Sequence, residues 1–218
     1  MNAGEILKEP KEGTDKYQTK INAISDRLEE FVRNELARAQ ATGDPKKLEK
    51  SEKKINLFLE WLVIHTGYVE NQDIPLPAVD VYDLTRGEIV LLDLGFNVGK
   101  EFGGERPAIV LRNSKPSVDQ VLVLPMSTQK PKNVTDPIYI EIPPIPGLTG
   151  YQNKESATDP DNGKHWANVL SIKNLSKLRI KYPPEKLTIR TSSILDRISA
   201  AVISNIALRK KKNNKPKS

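Results

Sequence analysis

The sequence predicts an α+β chain: an N-terminal α-helical hairpin, then a small, largely antiparallel β-barrel closed by a C-terminal helix. Three observations predict it. Apolar residues recur every three or four positions over the first sixty-odd residues. Short β-rich runs bounded by turn residues fill the middle, with no alternation of strand and helix. Helical spacing returns only near the C-terminus.

The elements follow in order. Residues 1 to 13 are polar and expected to fray. From about Asp15 to Ala41, Tyr17, Ile21, Ile24, Leu28, Phe31, Val32 and Leu36 form one stripe on a helix. "TGDP" at 42–45 stops it: Gly43 suits a C-cap, Asp44 an N-cap and Pro45 the first position of a new helix. The second helix is expected to run to about His65, making an antiparallel hairpin with the first. Two helices bury little, so this hairpin is expected to pack on a second copy or on the following domain. From Gly67 to Thr85, Pro75 and Pro77 favour an extended linker. "GEIVLLDL", "RPAIVLRN", "QVLVLPMSTQ", "PIYIEI" and "HWANVLSIK" read as strands, and "NLSKLRI" as a turn or two of helix. "TSSILDRISAAVISNIALRKK" reads as the closing helix, capped by Thr191 or Ser192. The domain boundaries that result are 1–67 for the hairpin, 68–84 for the linker, 85–208 for the barrel domain and 209–218 for a basic tail.

Composition narrows the chemistry. The 218 residues include no cysteine, which excludes disulfides, thiolate catalysis and Cys-ligated metals. Of 34 Lys and Arg, six lie in "RKKKNNKPKS" at 209–218, which carries no acid. The remaining chain holds as many acidic as basic side chains, so the net charge of +6 belongs to the tail and not to a basic binding face. The tail reads as a solubilising arm, with loose contact to RNA phosphates as its second use. "MNAGEILKEP" has no basic stretch before an apolar run, so no secretory leader is expected. "INLFLEWLVIH" is short and carries Glu60, which fits a core helix and not a membrane span. A soluble, cytoplasmic protein is the expectation. Two distant histidines without a close acidic cluster give no metal-ligand set, and no dinucleotide or P-loop motif is present. His165 is expected at the surface, and Trp166 in the core.

One stretch is unusual. "NVGKEFGGERPAIVLRN" at 97–113 sets Gly103-Gly104, a Glu, an Arg and a Pro directly before an apolar strand. Glycines lower β-propensity, and a loop that must come close to a ligand would use both. They equally suit a plain turn. By itself Arg106 reads first as a structural arginine paired with Glu101, Glu105 or Asp93.

With its surroundings it reads differently. "RGEIVLLDLGFNVGKEFGGERPAIVLRN", then "VLVLPMSTQ" and "NVLSIKNLSKLRI", resembles the MazF/PemK toxin family over roughly Thr85 to Leu208. The first two blocks match in order and spacing. The resemblance implies an SH3-like barrel that forms a homodimer, and a toxin restrained by a cognate antitoxin protein. It also implies a ribonuclease that cuts single-stranded RNA without metal or cofactor. Arg106 matches the family's catalytic arginine before Pro. Ser127 matches the hydroxyl residue ending the next strand, and Glu101 the acid of the glycine loop. Lys100, Gly103, Gly104, Thr128, Gln129 and Lys173 fall where RNA contacts are implied. Two departures stand out: Leu170 and Ser171 replace an acid and Gln, and Lys173 stands where Arg is common.

The chemistry suits those residues. RNA cleaves itself when its 2′-OH attacks the adjacent phosphate, leaving a 2′,3′-cyclic phosphate and a 5′-OH. The enzyme must take a proton, donate one, and stabilise charge on the phosphorane oxygens. An arginine fork fits two such oxygens, and a serine hydroxyl donates to the same phosphate. Arg106 begins one strand and Ser127 ends the next, so antiparallel pairing brings the two together. Glu101 is a candidate base, with a loop salt bridge as its other reading. A non-catalytic, protein-binding toxin or regulator on the same barrel is the alternative function.

Overall fold

A computed structural model describes residues 15–75, 82–97, 99, 101–148, 163–181, 187–189 and 192–206. The chain divides into two compact units, Met1–Val63 and Ile64–Ser218.

In the first unit, α1 spans Asp15–Gln40, and α2 begins at Pro45. The turn between them follows the sequence closely. Gly43 has a positive φ of 63°, and Asp44 Oδ1 accepts the Lys46 amide at 3.0 Å as an N-cap. Phe31 meets Phe58 edge-on at 5.1 Å between centroids, and Phe58 stacks on Trp61. Ala39 and Ile55 are buried. Tyr17, Ile21 and Ile24, which share one face of α1, are all exposed. The α1 stripe is therefore only partly covered. α2 continues to Asn71, past the His65 end that the apolar spacing predicted. Nothing in "TGYVEN" breaks a helix, and the first proline comes only at Pro75.

The second unit is built on a sheet whose eight strands, among the described residues, are all antiparallel to their neighbours. They are β1 Glu88–Asp93, β2 Glu105–Val110, β3 Gln120–Ser127, β4 Tyr139–Ile142, β5 His165–Asn168, β6 Lys173–Ser176, β7 Ile180–Lys181 and β8 Leu187–Thr188. α3, Ser192–Asn205, ends the described chain. Thr191, the other candidate cap, lies outside the described residues, as do the basic tail and much of the segment between β4 and β5.

Closure comes from one short run. β6 pairs with β3, and β7 pairs with β1, while β1, β2 and β3 pair in sequence. A 3-10 helix at Lys177–Arg179 separates β6 from β7 and turns the chain from one edge to the other. The ring β1-β2-β3-β6-β7-β1 is a small barrel. "NLSKLRI" is thus strand, 3-10 turn and strand, where the sequence predicted helix. Lys177 anchors the break: it is fully buried, and its ammonium donates to the carbonyls of Tyr82 at 2.8 Å, Ser114 at 3.2 Å and Lys115 at 2.6 Å. Burial pushes its pKa below the ordinary lysine value, against the pull of Asp83 and Asp119.

The period-2 pattern sorts the strand residues onto two faces. Val90 and Leu92 of β1, Ala108 and Val110 of β2, and Val121 and Val123 of β3 fill the barrel with Leu84, Leu94 and Ile180. Ile89, Ile109, Leu124 and Met126 face the other way. They pack with Ile140, Ile142, Ala167 and Val169, and with Ile194, Ile198 and Ala201 of α3. Because both faces are covered, these strands read as continuous apolar runs. His165 is fully buried, not at the surface as the sequence predicted. It opens β5, whose first three residues are all buried, and Trp166 beside it is in the core as expected.

Candidate functional site

Arg106 and Ser127 lie at one mouth of this barrel, and a proline places them there. In the β2–β3 ladder Ala108 faces Pro125 and Ile109 faces Leu124. The Leu111 amide donates to Leu122 at 2.9 Å, so the hydrogen-bonded rungs are the odd residues of β2. The next such rung would need an amide from Pro107, which has none. The β2–β3 pairing stops at Ala108–Pro125, while Arg106 stays paired with Leu92 of β1 and Ser127 with Trp166 of β5. Arg106 and Ser127 each lie two residues past the last paired rung, Ala108–Pro125, at the same end of the two strands. By period-2 spacing Arg106 continues the inward row of Ala108 and Val110, and Ser127 follows the row of Val121 and Val123 past Pro125. Pro125 is tolerated within β3 because its missing amide points to the other edge. There β6 ends at Val123, and β5 begins at Met126.

Arg106 is half-buried. Its Nε donates to the Gly103 carbonyl at 2.9 Å, and its guanidinium carbon lies 5.2 Å from the centroid of Phe102. Among the described residues it makes no ion pair: Glu105 pairs with Lys181 at 3.0 Å, and Asp93 is bonded to Tyr68. Burial lowers its pKa from the ordinary arginine value, yet an arginine so placed stays cationic at neutral pH. With Nε anchored, the Nη edge of the fork is the part available to a ligand. Ser127 Oγ accepts the Gln129 amide at 3.0 Å, so its proton is left to donate elsewhere. Thr128 is half-buried, and Gln129 is exposed, in the turn just after it.

The glycines prove to be structural. Gly104 has a φ of 69°, and its amide donates to the Gly95 carbonyl at 2.7 Å. A Cβ on Gly103 would come within 2.9 Å of that same carbonyl oxygen. Asn97 Nδ2 donates to the carbonyls of Leu94 and Phe102 across the loop. These contacts draw the β1–β2 loop to a narrow neck. The Gly-Gly pair is needed to form that neck whether or not a ligand approaches.

Beside the mouth lies a cavity of about 210 Å³ lined by Glu101, Phe102, Leu170, Ser171, Ile172 and Lys173. Glu101 and Lys173, far apart in sequence, are thus brought to one cleft, and Phe102 joins it to Arg106. Leu170 sits on a 3-10 helix, Val169–Ser171, capped by Asn168, and is 56% exposed. Lys100 lies outside the described residues. Sequence reasoning missed Phe102, Asn97 and Tyr68. Phe102 and Asn97 sit inside a loop with no periodicity, and Tyr68 lay in a stretch predicted as linker. Among the described residues no cluster of His, Asp or Glu is placed to hold a metal ion, and no helix is long and apolar enough to cross a membrane.

Residues 85–206 match the family described as PemK-like, MazF-like toxin of type II toxin-antitoxin system. The chain belongs to that family. Comparison with curated proteins gives no match. Among solved structures, an endoribonuclease in complex with its cognate antitoxin from a mycobacterial species is 18% identical. It matches over 58% of this chain and 98% of that one, with a TM-score of 0.38. MazF from Deinococcus radiodurans is 19% identical over 58% of this chain and 99% of that one, with a TM-score of 0.40. Likenesses this loose transfer no residue roles. This PemK/MazF chain carries its helical hairpin ahead of the matched region.

Proposed function

We propose that this toxin is an endoribonuclease that cleaves single-stranded RNA by attack of the 2′-OH on the adjacent phosphate. The observation that carries the reading is Arg106 itself: half-buried, anchored through Nε to the Gly103 carbonyl, and at the same end of the β2–β3 pair as Ser127. The Nη edge of Arg106 takes two phosphate oxygens, and the Ser127 hydroxyl donates to the same phosphate. These donors are in place before the reaction, which is where they lower the barrier most. Glu101, on the cleft next to Phe102, is the candidate base for the 2′ proton. Lys173 and the backbone around Gly103 and Gly104 contact the flanking RNA, as do Thr128, Gln129 and Lys100. DNA lacks the nucleophile and is spared.

A type II toxin is held in check by a protein, so a cognate antitoxin is the expected partner. An mRNA substrate puts the work in the cytoplasm, and the SH3-like barrel acts as a homodimer. A second reading, a non-catalytic toxin that binds a protein, draws on Leu170. This exposed leucine lines the cleft where the family carries an acid.

One experiment separates the two. Purified protein is incubated with mixed-sequence RNA in EDTA, and the ends are mapped. The nuclease reading expects 2′,3′-cyclic phosphate and 5′-OH ends. Intact RNA would favour the protein-binding reading, and a magnesium requirement would refute the 2′-OH mechanism as stated.

A further inference from the structure

The last turns of α2, which precede the family-matched region, reach the neck that holds Arg106. Tyr68 donates its phenolic proton to Asp93 Oδ2 at 2.9 Å, and the Gly95 amide donates to Asp93 Oδ1 at 2.9 Å. The Gly95 carbonyl accepts the Gly104 amide and abuts Gly103. The Gly103 carbonyl in turn accepts Arg106 Nε. Six residues, Tyr68, Asp93, Gly95, Gly104, Gly103 and Arg106, thus form one continuous chain from helix to guanidinium. All of them lie within the second compact unit.

The hub is Asp93, the last residue of β1, which is only 6% exposed. A buried carboxylate must have its lone pairs satisfied, and Tyr68 and Gly95 each take one oxygen. Arg179 holds the same place from another side: its Nη1 donates to the Asp93 carbonyl at 3.3 Å, and its guanidinium lies 5.5 Å from the Tyr68 ring. Without the Tyr68 hydroxyl, Oδ2 is left desolvated and the carboxylate turns toward another donor. Oδ1 is then drawn off the Gly95 amide, and Gly95 is the residue against which both glycines of the neck are seated.

We propose that Tyr68 is a positioning residue for Arg106, acting through Asp93 and the Gly95–Gly103 neck. The inference rests on the reading of Arg106 as the phosphate-binding group. It gives the residues ahead of the matched domain a part in the reaction: they set the orientation of a guanidinium they do not touch.

The test uses the full chain and Tyr68→Phe, which keeps the ring under Arg179 and removes only the hydroxyl. The expected result is a fall in kcat of about tenfold, the scale of a small misplacement of a reacting group, with KM within about twofold. The Nε–Hε resonance of Arg106 should move in the same variant. Asp93→Asn is the rescue arm. Its amide can accept from Gly95 and donate to Tyr68, so it should keep most activity, while Asp93→Ala should not. An unchanged kcat in Tyr68→Phe overturns the proposal, and so does a fall in kcat with the Arg106 resonance unmoved. Failure of the underlying reading looks different: Arg106→Ala itself would cleave RNA normally. In that case an unmoved resonance overturns the relay, and a moved one upholds it as a structural link to Arg106.

Discussion

The guanidinium of Arg106 lies over the ring of Phe102, with the carbon 5.2 Å from the centroid, while its Nε is bonded to Gly103. Two contacts therefore fix the plane of the fork and leave its outer edge for a ligand. Arg106→Ala should reduce RNA cleavage by about 100- to 1,000-fold, the usual loss for one preorganised donor. Arg106→Lys should fail to restore it, because a single ammonium cannot keep the Gly103 bond and grip two phosphate oxygens. Steady-state cleavage of a short RNA measures both. Near-normal rates in a folded Arg106→Ala variant would remove this residue from the site.

Ser127 has two tasks that different variants separate. Its oxygen seats the Gln129 amide, and its proton is the proposed phosphate donor. Ser127→Ala loses both, and Ser127→Thr keeps both. Cleavage in the alanine variant is expected to fall less than in Arg106→Ala, by about tenfold, the scale of one neutral hydrogen bond. The threonine variant should stay close to wild type. If alanine and threonine behave alike, the hydroxyl has no part in the reaction.

The glycines predict a loss of stability before any loss of chemistry. Gly103→Ala forces a methyl to 2.9 Å from the Gly95 carbonyl oxygen, a backbone atom that cannot swing aside. It should cost about 1–3 kcal/mol, the range for overpacking. Gly104→Ala meets open space, but must hold a φ of 69°, at about 1–2 kcal/mol. Urea unfolding followed by fluorescence ranks them. A fully stable Gly103→Ala would mean the neck is not drawn tight.

Much of this architecture was legible in the chain. The turn between the helices was legible because Gly43, Asp44 and Pro45 each have a backbone role fixed by local chemistry alone. The strand runs were legible because β-branched residues cluster between turn signals. The barrel's closure was not, since β6 and β7 are short, and their pairing with β3 and β1 depends on a lysine burying its charge among three distant carbonyls. Arg106 and Ser127 stood out through the motif around them. Phe102 did not: an aromatic in a glycine loop signals nothing until the guanidinium above it is seen. His165 was misread because one polar residue in a short strand looks the same from sequence whether it points in or out.

The hairpin offers a prediction about regulation. A lid that inhibits in cis would release activity when removed; a scaffold would not. A chain beginning at Ile64 retains Tyr68, and one beginning at Asp83 loses it. On the scaffold reading, specific activity does not rise in either, and the shorter chain is the poorer enzyme because Tyr68 is gone. Measured against the full chain at equal folded concentration, a large gain from the Ile64 start would identify the hairpin as an inhibitor.

Tyr68 also makes a prediction about alkaline stability. Burial, and then its bond to Asp93, raise the Tyr68 pKa from 10 to about 12. The unfolded chain therefore releases this proton at lower pH than the folded one. The stability that the neutral phenol contributes is complete below pH 10 and is lost as pH climbs from 10 through about 12. Tyr68→Phe has no proton to lose. At neutral pH it should be less stable than wild type by about 1 kcal/mol, one hydrogen bond. The gap between the two proteins should narrow across that alkaline window, because only wild type loses the contribution. Paired urea titrations at pH 8 and at several points above pH 10 read the difference directly, since other tyrosines and lysines titrate equally in both. A gap that stays constant through the window would mean that the folded phenol titrates as in the unfolded chain, so that neither the burial of Tyr68 nor its bond to Asp93 holds in solution, and the chain of contacts to Arg106 would lose its first member.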